Sequence, residues 1–161
     1  RVMAGLSFGL TNTSPFTLTS GGTKTGMQII TPTNQCVIIR SVSISMNGTA
    51  VTEAAILWQL IVQTSAGSGS TAVVPYSCVP FSESIQTTAA DGHSSEPSND
   101  TPAKIKHSEY VHQMGNVALD LKRYNDGRGI ILPGGTRLGI RYIAGTLAGT
   151  VKAMIAVSAE E

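Results

Sequence analysis

The stretch that decides the fold is Ala-Ala-Ile-Leu-Trp-Gln-Leu-Ile-Val-Gln-Thr, residues 54–64, which holds the densest apolar run and the only tryptophan. Every second residue from Ile56 to Val62 is apolar, whereas the alternate positions include Gln59 and Gln63. Alternate side chains of a strand point to opposite faces, so this pattern buries one face fully and the other in part. Several of these residues also favour helices. The other apolar runs are short, β-branched and bounded by Gly, Pro, Asn or Ser, which favours a central strand of an all-β domain.

The composition limits the class of protein. A chain of 161 residues suits one domain and buries about 70% of its unfolded surface. Only 13% of the residues are charged, yet 41% are hydrophobic and patterned, which excludes a disordered chain. The net charge of +1 indicates no nucleic-acid footprint. No run approaches the length of a membrane span, and no signal peptide is visible, so we expect neither nucleic acid nor membrane as a partner.

The remaining apolar segments alternate with turn signals about every 8–12 residues, which is typical of a sandwich or barrel. Besides residues 54–64, strands are predicted at residues 27–30, 36–46, 117–121, 130–132, 138–142 and 151–157. Residues 104–114 fit either a short strand or a helical turn. Asn47-Gly48 predicts a turn that brings the Trp58 strand back beside residues 36–46, and residues 144–149 predict a last hairpin. We therefore expect about eight to ten short strands.

The N-terminal residues 1–25 predict an arm that precedes a β-sandwich domain of residues 26–161. Ser-Pro, Asn-Thr and Gly-Gly interrupt this segment, so it has no core of its own. We expect it to lie along a sheet edge, to lie on another subunit or to remain loose; the alternative is an ordinary first strand near residues 16–19. The candidate partner contacts are four of its large apolar side chains: Phe8, Leu10, Phe16 and Leu18.

Two connections stand out further along the chain. Residues 73–81 contain Pro75 and Pro80, and proline cannot donate to a β-ladder, so this segment is predicted to be an edge strand or an extended crossover. Residues 82–102 form the longest stretch without pattern, which is typical of a functional or mobile loop. The Gly/Ser segment 65–70 predicts a flexible connection and lacks the Lys-Ser/Thr end of a phosphate-binding loop.

No constellation of residues predicts chemistry. His107 and His112 are five residues apart and would face away from each other on a strand or a helix, so we expect no metal site. The acidic residues of the long loop do not match a calcium loop, and no nucleophile elbow surrounds a serine. Spacing alone leaves a carboxylate pair for glycoside hydrolysis open, but with 5% aromatic residues a sugar platform is not expected. We predict that the chain is not an enzyme and uses no cofactor.

The two cysteines, Cys36 and Cys78, lie within apolar runs. The chain is not a cysteine-dense secreted scaffold, so free buried thiols are favoured over a disulfide.

The order of these segments resembles the small jelly-roll decoration (cement) proteins of tailed-bacteriophage capsids. The resemblance covers roughly residues 16–157 and rests on four features in chain order. They are Phe-Thr-Leu-Thr (16–19) before an apolar strand, Ile-Leu-Trp-Gln-Leu (56–60) before a Gly/Ser loop, a long Ser/Thr/Pro linker, and Leu-Pro-Gly-Gly-Thr-Arg-Leu (132–138) before the last strands. It implies a jelly-roll-like β-sandwich without catalytic residues.

The resemblance also implies a role. It predicts a structural virion protein on the capsid surface that binds and stabilises the assembled head, with the major capsid protein as partner and a homotrimer as the assembly. The arm would then extend over neighbouring subunits, and deletion of residues 1–15 would leave a folded domain that no longer binds. The alternatives are a tail- or fibre-associated receptor-binding module, a capsid shell subunit, and a carbohydrate-binding module or small sugar enzyme.

Overall fold

The computed structural model describes residues 5–50, 55–78 and 84–161. These residues form thirteen strands and one 3₁₀ turn, and the strands build two antiparallel sheets that face each other as a sandwich. The all-β sandwich predicted from the sequence is confirmed. The described strands outnumber the expected eight to ten because some of them are short segments paired along one long neighbour.

The strands follow one another along the chain with the following bounds. They are β1 (Ser7–Thr11), β2 (Phe16–Leu18), β3 (Thr23–Ile30), β4 (Val37–Gly48), β5 (Ala55–Gln63), β6 (Thr71–Val73), β7 (Tyr76–Ser77), β8 (Thr88–Asp91), β9 (Ile105–His112), β10 (Asn116–Asp120), β11 (Ile130–Leu132), β12 (Arg137–Ala144) and β13 (Val151–Glu160), with the 3₁₀ turn Leu121–Arg123 after β10.

The pairing of the strands is nested. Sheet A has the order β10-β4-β13-β1-β7, with β11 also on β4 and β2 also on β13, and sheet B has the order β6-β8-β3-β12-β5-β9. The first strands, β1 and β2, pair with the last strand, β13, and β3 pairs with β12. Inside these, β4 pairs with β10 and β11, and β5 pairs with β9. The strands therefore pair like the two arms of one long antiparallel hairpin that is folded over into two sheets.

The core lies between the two sheets and follows the predicted parity. Ile56, Trp58 and Leu60 of β5 are fully buried, and so are alternate residues of β13 from Val151 to Val157. The strand β5 lies between β12 and β9, so the Trp58 stretch is an internal strand as predicted.

Two predicted turns are wrong for the same reason. Asn47 and Gly48 are the last residues of β4 and pair with Lys152 and Val151 of β13. The strand β5 lies in the opposite sheet and not beside β4, and residues 145–150 likewise connect β12 in sheet B to β13 in sheet A. The local turn signals predicted hairpins, whereas the chain crosses between the sheets at both places.

The long patternless segment contains a strand that the sequence analysis missed. The strand β8 (Thr88–Asp91) lies between β3 and β6, although its Thr-Ala-Ala-Asp sequence has little apolar alternation. Residues 104–114 contain the strand β9 and not a helical turn. Pro75 separates β6 and β7, which lie at the edges of the two different sheets, so the described part of this segment is both edge strand and crossover, whereas Pro80 lies outside the described residues.

The segment predicted as an arm is part of the sandwich over its described residues 5–25. The strand β1 lies inside sheet A between β13 and β7, and β2 continues along the same side of β13. Between them, the buried Asn12 accepts a hydrogen bond from the Ile155 N–H through its Oδ1, at 2.6 Å. The structure shows the alternative, an ordinary strand near residues 16–19 (β2), whereas β1 is an internal strand and does not lie along a sheet edge.

The turn between the 3₁₀ turn and β11 supports a test of backbone strain. Gly129 has φ +97, and a Cβ there would lie 2.4 Å from the Ile39 carbonyl oxygen. We expect Gly129→Ala to lower the free energy of unfolding by about 1–3 kcal/mol, measured by urea denaturation followed by circular dichroism. Gly127→Ala is the matched control, because its φ is +88 but its nearest neighbour is 4.0 Å away. Equal losses in the two variants would show that the clash contributes nothing.

Candidate interaction surface

Exposed apolar side chains concentrate on one edge of the sandwich. Among the described residues, six large apolar side chains are exposed: Val74, Tyr76, Ile105, Tyr110, Met114 and Ile131. Three of these belong to β9 and the turn that follows it, and Tyr110 is 68% exposed. We call this surface, residues 105–114, the β9 edge.

The β9 edge lies at the end of a sheet. The strand β9 is the last strand of sheet B and pairs with β5 only, so its outer side has no neighbouring strand among the described residues. A register shift between Leu60 and Ile61 disturbs its first half, which contains Lys106 and follows directly on Lys104. Bulges and lysines discourage strand addition. Its second half, around Tyr110, has neither a register shift nor a lysine.

A cluster of polar and aromatic side chains contacts β9 on the side that faces Trp58. The His107 ring lies against Trp58, with 5.0 Å between centroids, and its Nδ1 is 3.0 Å from the Tyr124 hydroxyl. Its Nε2 is 3.4 Å from a carboxylate oxygen of Glu109, and the Arg123 guanidinium lies 5.4 Å from the Tyr124 ring centre. The cluster thus connects β5 and β9 with the 3₁₀ turn beside sheet A. We call His107, Glu109, Arg123 and Tyr124 the clamp, because their mutual contacts hold β9 in position.

A second polar network lies on the outer face of sheet B. The Nε2 of Gln28 donates to the Oε1 of Gln63 at 2.7 Å, and the Nε2 of Gln63 donates to the Thr25 hydroxyl at 3.2 Å. On the strand between them, β12, Arg141 donates to the Oε1 of Gln59 at 2.7 Å. Burial lowers the pKa of Arg141, and the charge of Glu96 opposes that shift. Gln59 and Gln63 are the polar positions of the pattern in residues 54–64, and their burial shows that this face is covered too.

The cover consists of residues 92–104, which we call the strap. Glu96 of the strap accepts a hydrogen bond from the Thr25 N–H at 2.6 Å and forms an ion pair with Lys24 at 3.2 Å. Further along, the Asp100 N–H donates to the Val62 carbonyl at 3.1 Å. The strap therefore crosses sheet B from β3 to β5, which explains the long segment without strand pattern.

The residues predicted as partner contacts do not form a surface. Phe8 and Leu10 are completely buried, and Phe16 and Leu18 are 8% and 2% exposed. All four belong to the chain's own core. The interior between the two sheets therefore holds these side chains, so the exposed surface has to be sought elsewhere, and their contact with a partner stays a prediction.

The histidines and acidic residues considered in the sequence lie in different contacts. His93 is in the strap, His107 is in the clamp, and the His112 Nδ1 accepts a hydrogen bond from the Met114 N–H. Asp91 accepts from the Thr13 N–H at 2.6 Å, whereas the hydrogen bond from Lys104 lowers the pKa of Asp100. Across residues 5–50, 55–78 and 84–161, no group of three or more His, Cys, Asp or Glu residues could hold a metal ion. Glu83 lies outside the described residues.

The cysteines are free, as favoured, but they are not buried. Cys36 precedes β4 and Cys78 follows β7, so both lie at strand ends, where the core does not cover them.

A shallow groove of about 350 Å³ lies over β4, β10 and β13 on sheet A. Small side chains such as Ser43, Ala118 and Ser158 line it together with Arg40, which donates to Glu160 at 2.5 Å. A groove of small side chains beside an internal ion pair specifies no ligand, and we assign it none.

The part of the chain that the structure describes contains no helix long and apolar enough to cross a membrane. Comparisons with protein-family models, with curated proteins and with solved structures found no match to this chain, so its function has to be inferred from its own residues and geometry.

Proposed function

We propose that the chain is a structural virion protein, a decoration protein that binds the major capsid protein on the surface of an assembled bacteriophage head and stabilises it. The observation that carries the proposal is the nested strand pairing, first strands with last and β5 with β9. A long antiparallel hairpin rolled into two sheets is the arrangement of a jelly roll, and jelly rolls include viral capsid proteins and lectins. This pairing supports the resemblance noted in the sequence.

The exposed aromatic residues favour a structural role over sugar binding. Trp58 is fully buried, and the exposed aromatic side chains among the described residues are Tyr76 and Tyr110. Tyr76 belongs to β7 and Tyr110 to β9, which are edge strands of different sheets. A sugar-stacking platform needs aromatic rings side by side, and these two residues do not provide one.

The contact surface in this proposal is the β9 edge. A strand from the shell would pair with the outer side of β9, and Tyr110, Ile105 and Met114 would bury their exposed apolar surface against it. Association as a homotrimer is part of the proposal and would place three such edges around a point where shell subunits meet. Light scattering coupled to size-exclusion chromatography measures that assembly directly.

The test of the virion role is a density-gradient separation of the source material, with the chain followed by mass spectrometry. We expect it to band with intact particles in a copy number comparable to that of the major shell protein. Its restriction to the soluble fraction would contradict the proposal. Electron microscopy of the banded particles distinguishes a protein on the head surface from a shell subunit or a tail module.

The β9 edge is tested by Tyr110→Glu. Tyrosine in the centre of an interface contributes about 2 kcal/mol or more, so we expect roughly 30-fold weaker co-sedimentation with heads that lack the protein. Because Tyr110 is 68% exposed, stability should change by no more than about 0.5 kcal/mol. Val74→Glu is the matched control, since Val74 is 80% exposed and follows the edge strand β6 at the opposite end of sheet B. Equal binding by the two variants would move the contact away from the β9 edge but leave the virion role standing.

A further inference from the structure

His93 belongs to the strap, and its side chain is buried against the sandwich. It is 1% exposed, and neither ring nitrogen has a hydrogen-bond partner among the described residues. A neutral imidazole carries one donor and one acceptor, and buried polar atoms are usually paired. A buried histidine whose two ring nitrogens both lack a hydrogen-bond partner is therefore unusual in a folded protein.

His93 contacts the 65–70 loop through its ring and β3 through its backbone carbonyl. A Cβ on Gly67 would lie 2.4 Å from the His93 Nδ1, so the ring occupies the space that a side chain at position 67 would need. The Ser94 N–H donates to the Ser68 carbonyl at 2.9 Å, and the Lys24 ammonium donates to the His93 carbonyl. The ring thus lies against the 65–70 loop, and the backbone around it is bound to β3 and to that loop.

We propose that His93 is a pH-operated latch, which holds the strap closed on sheet B while its ring is neutral and releases the strap when the ring takes up a proton. A charged imidazolium that is buried without a hydrogen-bond acceptor is far less stable than one in water. Release of the strap returns the charged ring to water and exposes the glutamine network beneath it. The proposal does not depend on which partner the protein binds.

The charged groups around His93 do not neutralise this effect. Burial is the largest influence and lowers the pKa of His93; Glu96 and Asp91 oppose it, and Lys24 on β3 reinforces it. Both carboxylates are already engaged, Glu96 with Lys24 and Asp91 with Thr13. The Ala90 carbonyl favours the protonated ring without making a hydrogen bond of acceptable geometry, and the 65–70 loop carries no titratable group.

The direction of the pH dependence follows from the lowered pKa. When the strap is open, His93 titrates near its ordinary value of 6.5, and when the strap is closed it titrates below that value. Between the two values the open state binds more protons, so the closed state is fully stable above pH 6.5 and weakens as the pH falls. The opening equilibrium should rise by up to about tenfold per pH unit in that window.

Amide hydrogen exchange of the full chain, measured by NMR from pH 8 to pH 5, tests the latch. The reporters are the N–H groups of Thr25 and Thr64, which donate to the strap, and of Ser94, which donates from the strap to the 65–70 loop. After correction for the intrinsic exchange rate, we expect their protection to fall steeply below pH 6.5, whereas the Ile155 N–H in the core should not follow that slope. Protection of the strap that is independent of pH would overturn the proposal.

Two variants attribute the effect to His93. His93→Leu fills the site with an apolar side chain, and we expect the pH dependence of strap protection to disappear. The double variant H107Q/H112Q removes the other two histidines and should keep it. A slope that persists in His93→Leu would overturn the latch, and so would a His93 ring that titrates at or above its ordinary pKa in the folded wild-type protein, a reading that needs no variant to fold.

Discussion

Replacement of Phe8 by alanine should lower the free energy of unfolding by about 3–5 kcal/mol, as large as any single change in this core. Phe8 is completely buried, on a strand hydrogen-bonded to β13 on one side and to β7 on the other. The rigid sheets cannot collapse into the cavity that alanine would leave. Since domains of this size are stable by about 5–15 kcal/mol, the urea midpoint followed by circular dichroism should move far to lower concentration.

Thr11→Ala is the matched control for Phe8. Thr11 lies on the same strand and pairs with Ala156 of β13, but its side chain is exposed. We expect its stability to stay within about 0.5 kcal/mol of the wild-type value. If Phe8→Ala were as stable as Thr11→Ala, residues 1–25 would be the dispensable arm that the sequence first indicated.

The same structure reverses the expectation for a truncated chain. Deletion of residues 1–15 removes β1 and Asn12, and therefore exposes the backbone of β13 along that side. We expect such a chain to unfold or aggregate and not to remain a folded domain without binding activity. A soluble truncated chain with a cooperative unfolding transition would contradict this.

Strands whose apolar and polar residues alternate over several positions could be predicted from the sequence. Residues 54–64 and 151–157 alternate over several residues, and their buried faces were identified correctly. The sequence could not decide where Phe8 and Leu10 belong, because β1 has only five residues and its partner, β13, lies almost at the other end of the chain. Non-local pairing of this kind leaves no local signal, and the same limit produced the two wrong hairpins.

The β9 edge could not be predicted from the sequence either, because it also depends on how distant segments pair. Tyr110 and Val111 are neighbours in one apolar pattern, yet Tyr110 is exposed and Val111 is buried. The two side chains point to opposite faces of β9, Val111 toward the core beside Ile56 and Tyr110 away from it, and which of these faces is covered depends on the place of β9 at the end of sheet B. Burial of His93 likewise depends on Gly67, which lies in a different loop.

Trp58→Ala should also remove about 3–5 kcal/mol of stability, because Trp58 is the largest fully buried side chain. Its ring supports the clamp as well as the core, since His107 packs on it with 5.0 Å between centroids. We therefore expect faster amide exchange along β9 in addition to a lower urea midpoint by circular dichroism. Unchanged exchange of β9 in this variant would show that the clamp does not depend on the tryptophan.

Trp58→Phe separates ring packing from the polar group of the indole. The Nε1 of Trp58 is buried and has no hydrogen-bond partner among the described residues, and an unpaired buried N–H is destabilising by about 1–3 kcal/mol. Phenylalanine removes that N–H while it keeps an aromatic ring beside His107, so the loss from its smaller volume is partly offset. We expect a net destabilisation below about 1.5 kcal/mol, well short of the alanine variant. Equal losses of stability in Trp58→Phe and Trp58→Ala would mean that the indole N–H is hydrogen-bonded in the folded protein. That hydrogen bond would then stabilise the position of Trp58 in addition to packing.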